Sequence, residues 1–235
     1  MGLMALSSST SVYLIKKLIM IPGLLLFFSF RGFFQAWVAR KLGDETPANM
    51  GFLTMNPMAH IDPIGFICMI LVGIGFGKPI QFSSSNYKNI KRDGAIQILS
   101  APVSGLLLAF CISFVYNLLF FIGAKGDFLA NQTYGIFIDI FGAAFSVAIV
   151  LTVFLFLPLP GFDSYRLVAN FLPYKHYRKL YNVEKYSLFI FLGFLLILEI
   201  PGIGDTLYYY LIGLPSGFFS VILSAPWEWL LNVLL

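Results

Sequence analysis

The sequence predicts an all-α polytopic membrane protein with about five to six transmembrane helices, a re-entrant segment and short strands. Two observations carry this. Of 235 residues, 59% are hydrophobic and only 11% charged, where an ordinary soluble domain is about a quarter charged. The apolar residues also fall into runs near the roughly 20 residues that a spanning helix needs. The chain reads as a single membrane domain over 1–235. Its net charge of +4 is modest and not concentrated as a nucleic-acid surface requires. Membrane lipids are therefore expected as partners and nucleic acid is not.

The first helix is expected over 12–42, interrupted at Pro22 and Gly23 and carrying Arg31 and Gln35 in its second half. Residues 43–62 are too polar to cross. The apolar stretch 64–77 has 14 residues, four of them glycine, a length that suits a re-entrant segment better than a span. The whole region 43–94 is thus read as loop, re-entrant segment and short strands, the strands being "GFLTMNP" at 51–57 and "KPIQF" at 78–82. Two core helices occupy 95–157. A turn, "LPGFDS", opens a basic link over 158–186, with a short helix from Asp163. The C-terminal helices fill 187–235, broken at "GLPSG". Trp37, Trp227 and Trp229 read as interfacial anchors.

Loop 78–94 holds Lys78, Lys88, Lys91 and Arg92, and link 158–186 holds Arg166, Lys175, Arg178, Lys179 and Lys185. Two helices separate them, so both lie on one face, which the positive-inside rule makes cytoplasmic. A bacterial inner (plasma) membrane is the expected location.

Arg31 and Gln35 are the anomaly. Ionisable groups at such depth are costly and usually functional, and a four-residue spacing puts both on one helix face.

Four segments, in order, resemble compact bacterial site-2 proteases: "QAWVARKLGDETPANMGFLTMNPMAHIDPIG", "GFGKPIQFSSSNYKNIKRDGAIQILSAPVSG", "LFLPLPGFDSYRL" and "FLPYKHYRKLYNVEKYS". The resemblance implies an intramembrane zinc metalloprotease fold. In that family an HExxH motif sets two histidine ligands one helical turn apart, with the glutamate as general base, and a later aspartate completes the ligands. Laid on this chain, the histidines fall at Arg31 and Gln35 and the glutamate at Gly32. Arginine stays protonated and cannot bind a cation, and glycine cannot act as a base. Only Asp163 matches a ligand. Auxiliary family positions are also changed, to Ala101, Gly105, Leu155 and Ser164.

The resemblance therefore implies a catalytically degenerate homologue, with no catalytic residues, no metal and no cofactor. The expected role is a non-catalytic subunit, adaptor or regulator of a membrane complex, bound to other integral membrane proteins. A partner helix or extended segment would dock near Phe52, Thr54, Asn56, His60, Lys78 and Pro79. An Arg31–Asp163 ion pair is expected to replace the zinc, with the Gln35 amide on a remaining lone pair or a nearby backbone carbonyl, and with Gly32 leaving room for the arginine or for close helix approach. Helix N-capping also accounts for Asp163. His60 is read as a loop-ordering residue and His176 as a solvated one. Two other readings stand beside this: a residual metalloprotease using Asp163, His60 or His176, and a lipid, pigment or small-molecule site in the vacated cavity.

Overall fold

A computed structural model of the chain describes residues 2–63, 65–67, 77–173, 179–180, 182–198 and 200–233. Helix α1 (Gly2–Lys41) is followed by two short helices, α2 (Thr46–Asn49) and α3 (Pro57–His60). Then come α4 (Ile90–Lys125), α5 (Gln132–Phe156), α6 (Asp163–Phe171), α7 (Ser187–Leu198), α8 (Ile203–Tyr208) and α9 (Leu214–Val233).

Helix α1 runs without a break through Pro22. A proline removes one helical hydrogen bond, a loss that membrane helices absorb locally. Gly23 serves packing: a Cβ there would lie 2.6 Å from the Ala144 Cα, so its absence lets α1 and α5 touch. Helices α4 and α5 are started by asparagine caps. Asn89 Oδ1 accepts from the Arg92 N–H, and Asn131 Oδ1 from those of Thr133 and Tyr134. Helices α1, α4 and α5 share a core that includes Phe27, Ala101, Leu108, Ala148 and Val153.

Four stretches among the described residues are long and apolar enough to cross a membrane: Ile15–Lys41, Ile90–Lys125, Gln132–Phe156 and Ile203–Val233. Helix α7 is apolar but has only 12 residues, about 18 Å of rise against a hydrocarbon core of about 30 Å. The fourth stretch stays helical through the expected break, because a π turn at Tyr209–Gly213 joins α8 to α9. Helix α9 is fastened to α4. Trp227 Nε1 donates to the Phe110 carbonyl at 3.1 Å, and Ser113 Oγ to the Leu223 carbonyl at 3.0 Å. Trp227 is thus a packing residue set against Phe110 and Phe114, whereas Trp37 and Trp229 are exposed.

The two expected strands are absent. Among the described residues there is no sheet, only a single antiparallel bridge between Ile61 and Gly77. Pro57 opens α3 and ends the first segment. Pro79 has no N–H to give a ladder, and the Ser83 N–H turns instead to Asp44. Most of the expected re-entrant segment lies outside the described residues. Large apolar side chains such as Phe189, Leu196 and Val221 face outward. This protein is membrane-embedded, and those side chains meet lipid.

Candidate functional site

A cavity of about 580 Å³ opens between the second half of α1, residues 77–82, the end of α5, the turn before α6, and α7. Its walls are largely apolar, with Phe27, Phe28, Phe154, Leu155, Phe162 and Phe191 among them. Its polar groups include Arg31, Gln35, Lys78 and Asp163.

Arg31 Nη2 donates to Asp163 Oδ2 at 2.6 Å. The two side chains retain 19% and 7% of their exposure, so the pair is mostly shielded from water. Asp163 is the first residue of α6. The cap position belongs to Phe162, and no side chain caps the helix. The carboxylate is therefore spent on Arg31 and not on its own helix. The turn that delivers it needs Gly161, whose φ of +93° only glycine adopts without strain. Ser164 Oγ closes the turn by donating to the Leu155 carbonyl at 2.8 Å. Gln35 is buried and lines the cavity. No hydrogen bond joins it to Asp163 among the described residues, so it lies beside the ion pair without completing it.

The space beside Gly32 serves the expected close helix approach and not the arginine: it is taken by His60 of α3. A Cβ built there would lie 2.1 Å from His60 Nδ1, so the imidazole, not Arg31, uses the room. His60 is 3% exposed, and its Nε2 bonds the Thr54 carbonyl at 2.7 Å. That carbonyl can only accept, which places the proton on Nε2 and leaves Nδ1 as a buried acceptor without a partner among the described residues. Burial pushes the His60 pKa below its ordinary value, and the charges of Lys78 and Arg31 push the same way, against the opposing Thr54 bond.

Gly105 repeats the pattern. A Cβ there would lie 2.0 Å from Thr152 Oγ1 and 3.1 Å from the Phe27 ring. Thr152 is fully buried, its hydroxyl donating to the Ala148 carbonyl. Leu155 is buried in the core as well as facing the cavity.

The residues expected to meet a partner divide into three kinds. Phe52 and His60 are buried, their rings 5.6 Å apart. Thr54 and Asn56 build the loop: Thr54 Oγ1 accepts from the Asn56 N–H, and Asn56 Oδ1 from the Met58 N–H. Only Lys78 and Pro79 line the cavity, and Lys78 Nζ donates to the Met58 carbonyl. His176 lies outside the described residues.

Sequence reasoning missed Asp44. This carboxylate is wholly buried and accepts from the N–H groups of Thr46 and Ser83 and from Asn86 Nδ2, at 3.0, 2.8 and 2.9 Å. Burial pushes its pKa up, yet these hydrogen bonds together hold it below the ordinary carboxylate value. The acid thereby ties the end of α1 to the segment that walls the cavity. Its signal was the Asp-x-Thr of "GDET", a local turn pattern.

A protein of Bacillus subtilis (strain 168), "Putative zinc metalloprotease YwhC", is 34% identical over 158 residues, which make up 67% of this chain and 71% of that one. The chain belongs to the site-2 protease family. No family model and no solved structure matches it. The residues of this family member do not fit the zinc that the family implies. Where two imidazoles would stand there are a guanidinium and an amide, and the remaining carboxylate already accepts from the guanidinium. Among the described residues, no three His, Cys, Asp or Glu side chains gather in a group that could hold a metal ion.

Proposed function

We propose that this site-2 protease homologue is a non-catalytic membrane subunit that holds a helix or extended segment of another integral membrane protein in its cavity. One observation carries the reading. Arg31 bonds Asp163, His60 fills the notch at Gly32, and Thr152 fills the one at Gly105, so in this reading the family's site is refilled and not merely vacated. A guanidinium cannot activate water as a metal does, and the general-base position offers no carboxylate. What survives is a shaped, mostly apolar cavity bordered by residues 77–82. The N–H groups of Ile80, Gln81 and Phe82 enter no hydrogen bond with the described residues, and unpaired backbone beside a groove suits an added peptide segment. In this reading the basic loops 78–94 and 158–186 are cytoplasmic in a bacterial inner membrane.

Photo-crosslinking side chains at Pro79 and Leu192, in cell membranes, test it. A discrete membrane protein captured at both positions, and lost when Leu155→Trp fills the cavity, is the expected outcome. Purified protein that carries about one zinc per chain, lost on Asp163→Ala, or that cleaves a model membrane helix, would sink the proposal.

A further inference from the structure

Five basic residues lie outside the cavity lining. Lys88, Lys91 and Arg92 lie at and just before the start of α4, while Lys179 and Lys185 belong to the link, some 90 residues later in sequence. All five are exposed. Helix α6 brings the two groups together. At one end Asn170 Nδ2 donates to the Lys91 carbonyl at 2.7 Å. Near the other, Tyr165 Oη donates to the Leu180 carbonyl at 3.0 Å and Arg166 Nε to Glu184 at 2.8 Å. Residues 165 and 170 of one helix are separated by about 8 Å of rise, so both basic segments meet within about a Debye length at physiological salt.

The acids nearby do not cancel the charge. Asp93 is buried and pairs with Arg92, and Glu184 pairs with Arg166. Among the described residues, Lys88, Lys91 and Lys179 enter no ion pair. Beside them α6 exposes Val168 and Phe171, each 56% accessible. A three-residue spacing puts these on one helix face. Exposed apolar side chains among lysines are the composition of a helix lying in a membrane interface, with its apolar face at the acyl boundary and its cations among headgroups. A soluble acidic protein would match the lysines but would not need Val168 and Phe171 exposed.

We infer that α6 and its flanking lysines form a docking surface for anionic phospholipid headgroups of the adjacent leaflet. The phosphodiester anions meet Lys88, Lys91 and Lys179, while Val168 and Phe171 enter the acyl boundary. This goes beyond the proposed function and does not rest on it, since no partner protein and no cavity residue takes part.

The test uses the full chain, delipidated in a neutral detergent and titrated with dioleoyl phosphatidylglycerol or dioleoyl phosphatidylcholine. Bound lipid is counted by native mass spectrometry. Phosphatidylglycerol is expected to bind more tightly, with the preference shrinking as salt rises. Joint replacement Lys88→Gln, Lys91→Gln and Lys179→Gln should weaken it on the order of 100-fold and leave phosphatidylcholine binding unchanged. Val168→Ser with Phe171→Ser should weaken both lipids alike. Equal binding of the two lipids by the unaltered protein overturns the inference, as does a triple variant that keeps the preference. Competition by millimolar inorganic phosphate as effective as that by lipid would point to a soluble anion and overturn it too. Unfolding temperature without added lipid checks that each variant is folded; should the triple variant fail, the single replacements, each expected to lose part of the preference, decide.

Discussion

The imidazole of His60 occupies the space that any side chain at position 32 would need, with Nδ1 2.1 Å from where a Cβ would stand. The contact joins α1 to the loop that ends in α3. Gly32→Ala should therefore destabilise the protein by about 1–3 kcal/mol, the usual cost of overpacking. In the His60→Ala background the same change should cost much less, because the obstruction is gone. Unfolding in detergent of all four proteins of this cycle measures the coupling, and additive effects would show that the notch is not what Gly32 provides.

Restoring the family motif by Arg31→His, Gly32→Glu and Gln35→His should not produce cleavage of a model membrane helix. A glutamate at position 32 has nowhere to go while His60 is in place, and an asparagine at position 105 would meet Thr152. Metal analysis and a gel-based cleavage assay together check this. The triple variant is expected to hold much less than one zinc per chain.

The ion pair yields a prediction about order. Arg31→Met alone leaves the Asp163 carboxylate, 7% exposed, without a counter-charge and should cost about 3–5 kcal/mol. Arg31→Met together with Asp163→Leu removes both charges and should recover most of that loss. A double variant less stable than the single one in denaturant unfolding would mean that the pair itself contributes more than the penalty of a stranded charge.

His60 also gives the stability a pH dependence. Its folded pKa lies below the ordinary 6.5, so well above pH 6.5 the ring is neutral in both states and its contribution is complete. As pH falls through that value the unfolded chain takes up a proton that the folded one refuses, and stability drops. The unfolding temperature should thus fall between about pH 7.5 and pH 5.5, and His60→Gln should flatten the change. Asp44, also depressed, acts only at lower pH, where carboxylates titrate.

Much of the site was legible because charge in an apolar run is conspicuous. Arg31 and Gln35 stand out by the cost of placing them in a helix, and similarity in the "LPGFDS" turn brought Asp163 beside them. Gly32 was legible as a lost base and as room gained, but not as the seat of an imidazole. That His60 fills its place depends on a loop 28 residues away folding back onto α1, which no local pattern announces. The strand expectation at 78–82 failed for a readable reason: Pro79 lacks a donor and Ser83 is claimed by Asp44. Trp227 misled because indole suits both a headgroup belt and a helix seam, and only the Phe110 carbonyl decides between them.

Arg31 precedes its carboxylate by 132 residues, and this imposes an order on biogenesis. At about 5–20 residues per second of synthesis, α1 waits on the order of ten seconds before the segment bearing Asp163 has been made. Throughout that interval the nascent helix carries a solitary guanidinium, at an insertion cost of about 2.5–3.5 kcal/mol near a bilayer centre. A metalloenzyme can admit its cation last, once every ligand is in position. Here the cation is covalent and arrives first, so the surrounding apolar residues of Ile15–Lys41 must hold the helix in the membrane until the acid is translated.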